Sequence, residues 1–208
     1  RTIEEVKKAD VVQFFHDNIS IFNLILPYCR GKKLIAYHTT SLYRKEYDRL
    51  NAQMNPHIYR AVNCMPEFMG KGAKNEVYMV GAVDTEYLKG FKKQPKRPYI
   101  IGHYPSNPQV KGTATIVELM DNVKGDFEFR YSTNQVSYED QLKRIGECDI
   151  YIEMFTEKDG LGSDYGNFGI TALEAAAMGK CVITQSKDYS IYERLYKSAP
   201  LRFFNQCF

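Results

Sequence analysis

From residue 99 onward, short apolar runs alternate with longer segments of helical periodicity, and this alternation constrains the fold more than any other feature of the chain. Strands are expected over 99–102, 127–131, 149–152 and 181–184, and helices over 113–123, 138–145 and 169–178. Strands separated by helices cannot pair as tight hairpins. They pair in parallel through crossovers, which predicts an α/β fold with a doubly wound sheet. Local chemistry agrees: Ser137 with Asp140 three residues on has the form of a helix-start capping pair, and Gly179 stands where a left-handed helix stop belongs.

The first half gives a shorter version of the same pattern. A helix over 2–8, a strand over 11–15, a helix over 19–29 and a strand over 33–37 make a β-α-β alternation, with Gly31 as a helix stop. The stretch 38–54 is polar, ends in Asn55-Pro56 and is assigned no element; two short apolar runs follow, over 58–62 and 77–80. Between Gly90 and Pro98 the chain is charged and carries two prolines, the character of an exposed linker. The expected organisation is therefore a partial Rossmann-like domain over 1–90, a linker over 91–98 and a second Rossmann-like domain over 99–208.

With 208 residues, 44% hydrophobic and 25% charged, the chain suffices for one large domain or two small ones. Its net charge of +3 is spread out, with the densest basic run at Lys92, Lys93, Lys96 and Arg97, too mild a signal to indicate nucleic acid. Cys29, Cys64, Cys148, Cys181 and Cys207 form no Cys-x-x-Cys pair and have no histidine at zinc-ligand spacing, so a reducing compartment and no metal site are expected. No apolar run approaches the roughly twenty residues of a membrane span, and no secretory segment opens the sequence. A cytoplasmic location is expected, with peripheral membrane association left open. The sequence opens at Arg1 without an initiator Met, as though entering a domain partway.

In a doubly wound sheet, ligands sit beyond the carboxyl ends of the strands, where loops enter helix N-termini. The loop after the 99–102 strand ends in Lys111-Gly112-Thr113, where an ammonium beside a helix start suits an anion; an exposed lysine near a turn is the equal alternative. A second loop, 156–168, contains Gly160, Gly162 and Gly166, with Gly169 opening the next helix. Such glycines let backbone N–H groups approach phosphates or merely allow turning. Glu174 lies in that helix among small and apolar residues, where a carboxylate needs a partner: ribose hydroxyls in one reading, a solvent-facing stripe in the other.

The segments PYIIGHYPSNPQVKGT, ending at Thr113, and YGNFGITALEAAAMGKCVIT, ending at Thr184, resemble the two nucleotide-binding segments of family 4 glycosyltransferases, in order and separation. Gly81-Ala82-Val83-Asp84-Thr85 resembles that family's crossover between domains, and Ala36-Tyr37-His38-Thr39-Thr40-Ser41 with Arg44 an acceptor-side loop. The likeness spans roughly residues 10 to 200 and is poor over 42–76. It implies the GT-B arrangement, two Rossmann-like domains facing across a cleft. The implied reaction is transfer of a sugar from a nucleotide-diphosphate-sugar donor, itself a substrate, with no separate cofactor. The acceptor, whether glycan, lipid, protein or modified nucleic acid, is not specified. By position Lys111 would neutralise the diphosphate, Glu174 would hold the ribose, Gly169 and Ile170 would offer N–H groups, and His38 would line the reaction centre, with Arg44 on the acceptor side. His38 could equally be a satisfied structural residue.

The chain departs from the family pattern in two places. Gly166 stands where a first glutamate is usual, with Asp164 nearby as a stand-in. Pro105, Ser106 and Asn107 occupy the region of a usual arginine, where Ser106 and Asn107 could supply hydrogen bonds at lower charge. The family's first strand and its helical tail fall outside the sequence, as in a fragment or a reduced relative. The resemblance implies retention of anomeric configuration and no obligatory metal, and the lack of an Asp-x-Asp pair agrees with the latter. Two other readings compete: a catalytically silent nucleotide-sugar-binding subunit, suited by Gly166 and the missing arginine, and a nucleotide-sugar epimerase of the same shape.

Overall fold

A computed structural model describes residues 2–15, 17–156 and 168–185. The chain divides between Gly81 and Ala82 into two compact units, each built on a four-stranded, wholly parallel sheet.

The first unit runs α1 (Thr2–Lys8), β1 (Val11–Phe15), α2 (Ile19–Ile25), β2 (Lys33–His38), α3 (Ser41–Met54), β3 (Arg60–Asn63) and β4 (Val77–Tyr78), with the strands side by side in chain order. The expected helix over 19–29 ends as an α-helix at Ile25, and Pro27 sits in the 3-10 turn Leu26–Cys29 that completes it. Proline lacks the N–H that a continuing helix would use, which accounts for the tighter turn. Burial alternates along β1 and β2, turning Val12, Phe14, Leu34, Ala36 and His38 inward. These side chains meet Phe22 of α2 and the inner face of α3.

That helix occupies most of the polar stretch left without an element above. Its buried face is narrow, Tyr43, Leu50, Asn51 and Met54, while charged residues cover the rest. Thr40 starts it: the Thr40 hydroxyl accepts the Tyr43 N–H at 3.3 Å. A cap of this kind satisfies one of the donors that every helix start leaves unpaired.

The second unit runs α4 (Thr85–Lys89), β5 (Tyr99–His103), α5 (Pro108–Lys111), α6 (Thr113–Asn122), β6 (Phe127–Tyr131), α7 (Tyr138–Glu147), β7 (Ile150–Ile152), α8 (Ile170–Ala177) and β8 (Cys181–Ile183). Its first helix, α4, lies ahead of the Gly90–Pro98 stretch and buries Leu88 in a core shared with Leu142, Ile145 and Met178. The strand order is β6-β5-β7-β8, so the chain leaves β5 to one side for β6 and crosses back to the other for β7. That reversal makes the carboxyl ends of β5 and β7 the topological switch point, where a Rossmann-like sheet opens a crevice. Ser137 caps α7 as expected, accepting the Asp140 N–H at 3.1 Å while its hydroxyl donates to the Asp140 carboxylate at 2.7 Å. Gly179 closes α8 with φ of 75°. Among the described residues no helix is long and apolar enough to cross a membrane.

Candidate functional site

Three chain segments converge at the carboxyl ends of β5 and β7. The first leaves β5 at His103, whose ring is fully buried. Its Nδ1–H donates to the Ile152 carbonyl at 2.9 Å and its Nε2 accepts from the Thr113 hydroxyl at 2.9 Å. A carbonyl can only accept, so this pair of bonds fixes the tautomer. Burial pushes the imidazole pKa down, which favours the neutral ring. His103 thereby ties the end of β5 to the end of β7 and to the start of α6.

The loop from β5 then makes the short turn α5, capped by Asn107, whose side-chain oxygen accepts the Val110 N–H at 3.2 Å. Lys111 ends that turn, and Gly112 follows with φ of 67°. Only glycine fits there: a Cβ at Gly112 would lie 1.8 Å from the Phe155 carbonyl oxygen. This close approach delivers Lys111 to the loop beyond β7.

Lys111 meets Glu153 there, in a part-buried ion pair between Nζ and Oε1. The other oxygen of Glu153 accepts from the Thr184 hydroxyl at 2.8 Å, and its side chain is 0% exposed. Both partners lie against the start of α8, since a Cβ on Gly169 would sit 3.0 Å from Glu153 Oε1 and 3.1 Å from Lys111 Nζ. Gly169 is the N-cap of α8 and provides no side-chain cap; Ile170, the first helical residue, is half-exposed. The positive end of α8 and the ammonium of Lys111 therefore share one location.

Glu174 lies one turn further along α8, buried, and accepts the Tyr138 phenol O–H at 2.7 Å. Burial raises the carboxyl pKa, and the Tyr138 hydrogen bond offsets part of that rise. The same bond is the main reason the Tyr138 phenol is pushed up to about 12. Tyr138 also lines a pocket of about 260 Å³ together with Ser106, Lys111, Gln135, Glu153 and Thr171. That is just below the roughly 300 Å³ at which pockets for small organic ligands begin. Across it the Gln135 side-chain amide donates to the Ser106 carbonyl at 2.8 Å.

Of the residues proposed from sequence in this unit, Ser106 and Lys111 thus line one pocket, and Glu174 reaches it through Tyr138. Gly169 and Ile170 form the helix start beside Lys111, while the Asn107 side chain is engaged in its cap. Gly160, Gly162, Asp164 and Gly166 lie outside the described residues. Sequence reasoning missed Glu153 and Tyr138. Glu153 had a usable signal: a carboxylate directly after the apolar run Ile150–Ile152, at the ligand-facing end of a strand. Tyr138 had none beyond its place at a helix start.

The first unit gathers its own polar cluster at the carboxyl ends of β1 to β3. His38 closes β2, buried, with Nδ1 2.5 Å from Asp17 Oδ1 and its ring stacked on Tyr43 at 3.8 Å between centroids. The second oxygen of Asp17 accepts from the Thr40 hydroxyl. The Nε2 of His38 is buried and has no hydrogen-bond partner among the described residues. Arg44, one turn into α3, pairs with Glu67 at 2.8 Å and lies over the Phe68 ring. His38 and Arg44 are therefore both engaged with acidic partners, Asp17 and Glu67, that sequence reasoning had not named. Among the described residues no cluster of three or more metal-ligating side chains occurs.

No protein-family profile matches the chain, and no curated protein matches it in sequence.

Proposed function

We propose that the chain transfers a sugar from a nucleotide-diphosphate-sugar donor, in the manner of the family 4 glycosyltransferases it resembles, with its two units facing across a cleft. The second unit holds the donor: the nucleoside enters the pocket between Ser106 and Tyr138, Glu174 takes the ribose hydroxyls, and the diphosphate lies at the start of α8 beside Lys111. The first unit presents the acceptor near His38. The observation that carries this reading is the convergence of Lys111, the side-chain-uncapped start of α8 and the Glu174–Tyr138 pair at the switch point of a parallel sheet.

The chemistry follows from the charge that develops. As the bond from the anomeric carbon to the phosphate oxygen breaks, negative charge accumulates on the leaving diphosphate, where the Lys111 ammonium and the helix N–H groups stabilise it. The acceptor hydroxyl forms the new bond on the same face, and its proton passes to the leaving phosphate, giving retention without a metal.

A nucleotide-sugar-binding subunit without catalysis is the second reading, and the burial of His38 Nε2 favours it, because a group that handles substrate must be reached by substrate. One experiment separates the two. Radiolabelled donors are incubated with the protein alone and with a set of glycan, lipid and protein acceptors. Release of nucleoside diphosphate that depends on an acceptor supports transfer; saturable donor binding without release under any condition supports the binding subunit.

A further inference from the structure

The ammonium at the proposed diphosphate site already has an anion. Lys111 Nζ contacts Glu153 Oε1, Thr184 holds Glu153 Oε2 at 2.8 Å, and the carboxylate is wholly enclosed. It also lies at the N-cap of α8, 3.0 Å from where a Cβ on Gly169 would be. The two features that attract a phosphate, a cation and a helix start, are thus shared with a carboxylate of the protein itself, and the Lys111–Glu153 pair carries no net charge. Nothing in the transfer reaction described above requires that carboxylate.

We propose that Glu153 sets the affinity threshold of this site, a built-in competitor for Lys111 and the start of α8 that a diphosphate must outcompete to bind. The inference rests on the donor-site reading and adds a selection rule to it. A free phosphate or pyrophosphate meets a neutral ion pair and a buried like charge, so it gains little from Lys111. A nucleotide diphosphate has the further contacts of its nucleoside in the Ser106–Tyr138 pocket, and these draw the phosphates in against Glu153. The site therefore rejects the small phosphate anions and retains ligands that also fill the pocket.

The test measures affinities by calorimetry for inorganic pyrophosphate, for UDP, GDP and ADP, and for the matching nucleosides, on the wild-type chain and on Glu153→Gln. Removing one charge while keeping the side-chain volume should tighten pyrophosphate and the accepted nucleoside diphosphate by roughly tenfold or more, the scale of one charge-assisted contact. The nucleoside should bind unchanged. Glu153→Met, which fills similar volume without a hydrogen-bonding head, should give a gain of the same sign and provides the measurement if the glutamine variant does not fold. Folded variants that bind diphosphates as well as wild type, or more weakly, would show that Glu153 only positions Lys111; the inference would fall and the donor site would stand. If neither wild type nor variants bind any diphosphate, the donor-site reading falls and the inference with it.

Discussion

Lys111 and Glu153 illustrate how a single side chain changes meaning once its neighbours are known. From sequence, Lys111 is a charge beside a helix start; in the fold it is the partly exposed half of an ion pair whose carboxylate is enclosed. Its removal has two consequences. Lys111→Ala should abolish the preference for nucleoside diphosphate over nucleoside, and it should also destabilise the second unit, by at most about 3–5 kcal/mol, because buried Glu153 loses its cation and keeps only the Thr184 hydroxyl and the start of α8. Replacing both, with Lys111→Met and Glu153→Gln, should restore most of that stability without restoring diphosphate affinity. Denaturant unfolding beside calorimetry checks both parts.

Glu174 gives a pH-dependent prediction of definite sign. Its carboxyl pKa is raised in the fold above the ordinary 4.5, mainly by burial. The folded state thus binds that proton more tightly than the unfolded chain, and the contribution to stability is complete below 4.5 and lost as pH rises through the folded value. Glu174→Gln cannot titrate, so its stability should change less over that window, and its donor affinity should fall because an amide accepts ribose hydroxyls less strongly. Thermal unfolding followed as pH is raised from 4.5 reads the first effect. A variant that fails to fold would make Glu174 a structural residue.

At the scale of elements, Gly112 decides how closely α6 approaches the loop after β7. Gly112→Ala combines a left-handed backbone, worth about 1–2 kcal/mol in a residue with a Cβ, with a contact of 1.8 Å to a backbone carbonyl. Gly31→Ala has the same backbone problem at φ of 80° but nothing within 4 Å of its Cβ. The Gly112 variant should therefore lose clearly more stability than the Gly31 variant, as urea unfolding would measure. Equal losses would remove the close approach from the account.

Which elements were legible follows from what each one buries. The inner strands β5 and β7 of the second unit are near-continuous apolar runs because a parallel sheet is covered on both faces, and α8 is small and apolar for the same reason, whereas the edge strand β6 alternates its aromatics with Glu128 and Arg130. The helix α3 was not legible: Tyr43, Leu50 and Met54 make a stripe one residue wide, diluted by Arg44, Lys45, Glu46, Asp48 and Arg49. Its only strong local signal was the Thr40 cap. The candidate site was legible where it depends on local chain, as in Lys111 beside Gly112 and Glu174 within α8. It was hidden where it depends on crossings, since Glu153 reaches Lys111 and Tyr138 reaches Glu174 across 42 and 36 residues of sequence.

For the whole molecule, the proposed division of labour assigns the donor to the second unit and the acceptor to the first. His38→Ala then affects the rate and not the donor: turnover should fall at least tenfold while nucleoside diphosphate affinity changes little, the pattern of a group used only at the reaction centre. Unchanged turnover would leave the Asp17–His38 pair as a structural feature of the first sheet.

The central claim is that a nucleoside diphosphate seats at the carboxyl ends of β5 and β7. Hydrogen–deuterium exchange with and without a saturating nucleoside diphosphate addresses it at the level of segments. The account predicts slowed exchange over 104–112, over 134–138 and at the first turn of α8, with the first unit unaffected by nucleotide alone. Protection confined to residues 17–81, or a bound nucleotide that slows none of the three segments, would contradict it.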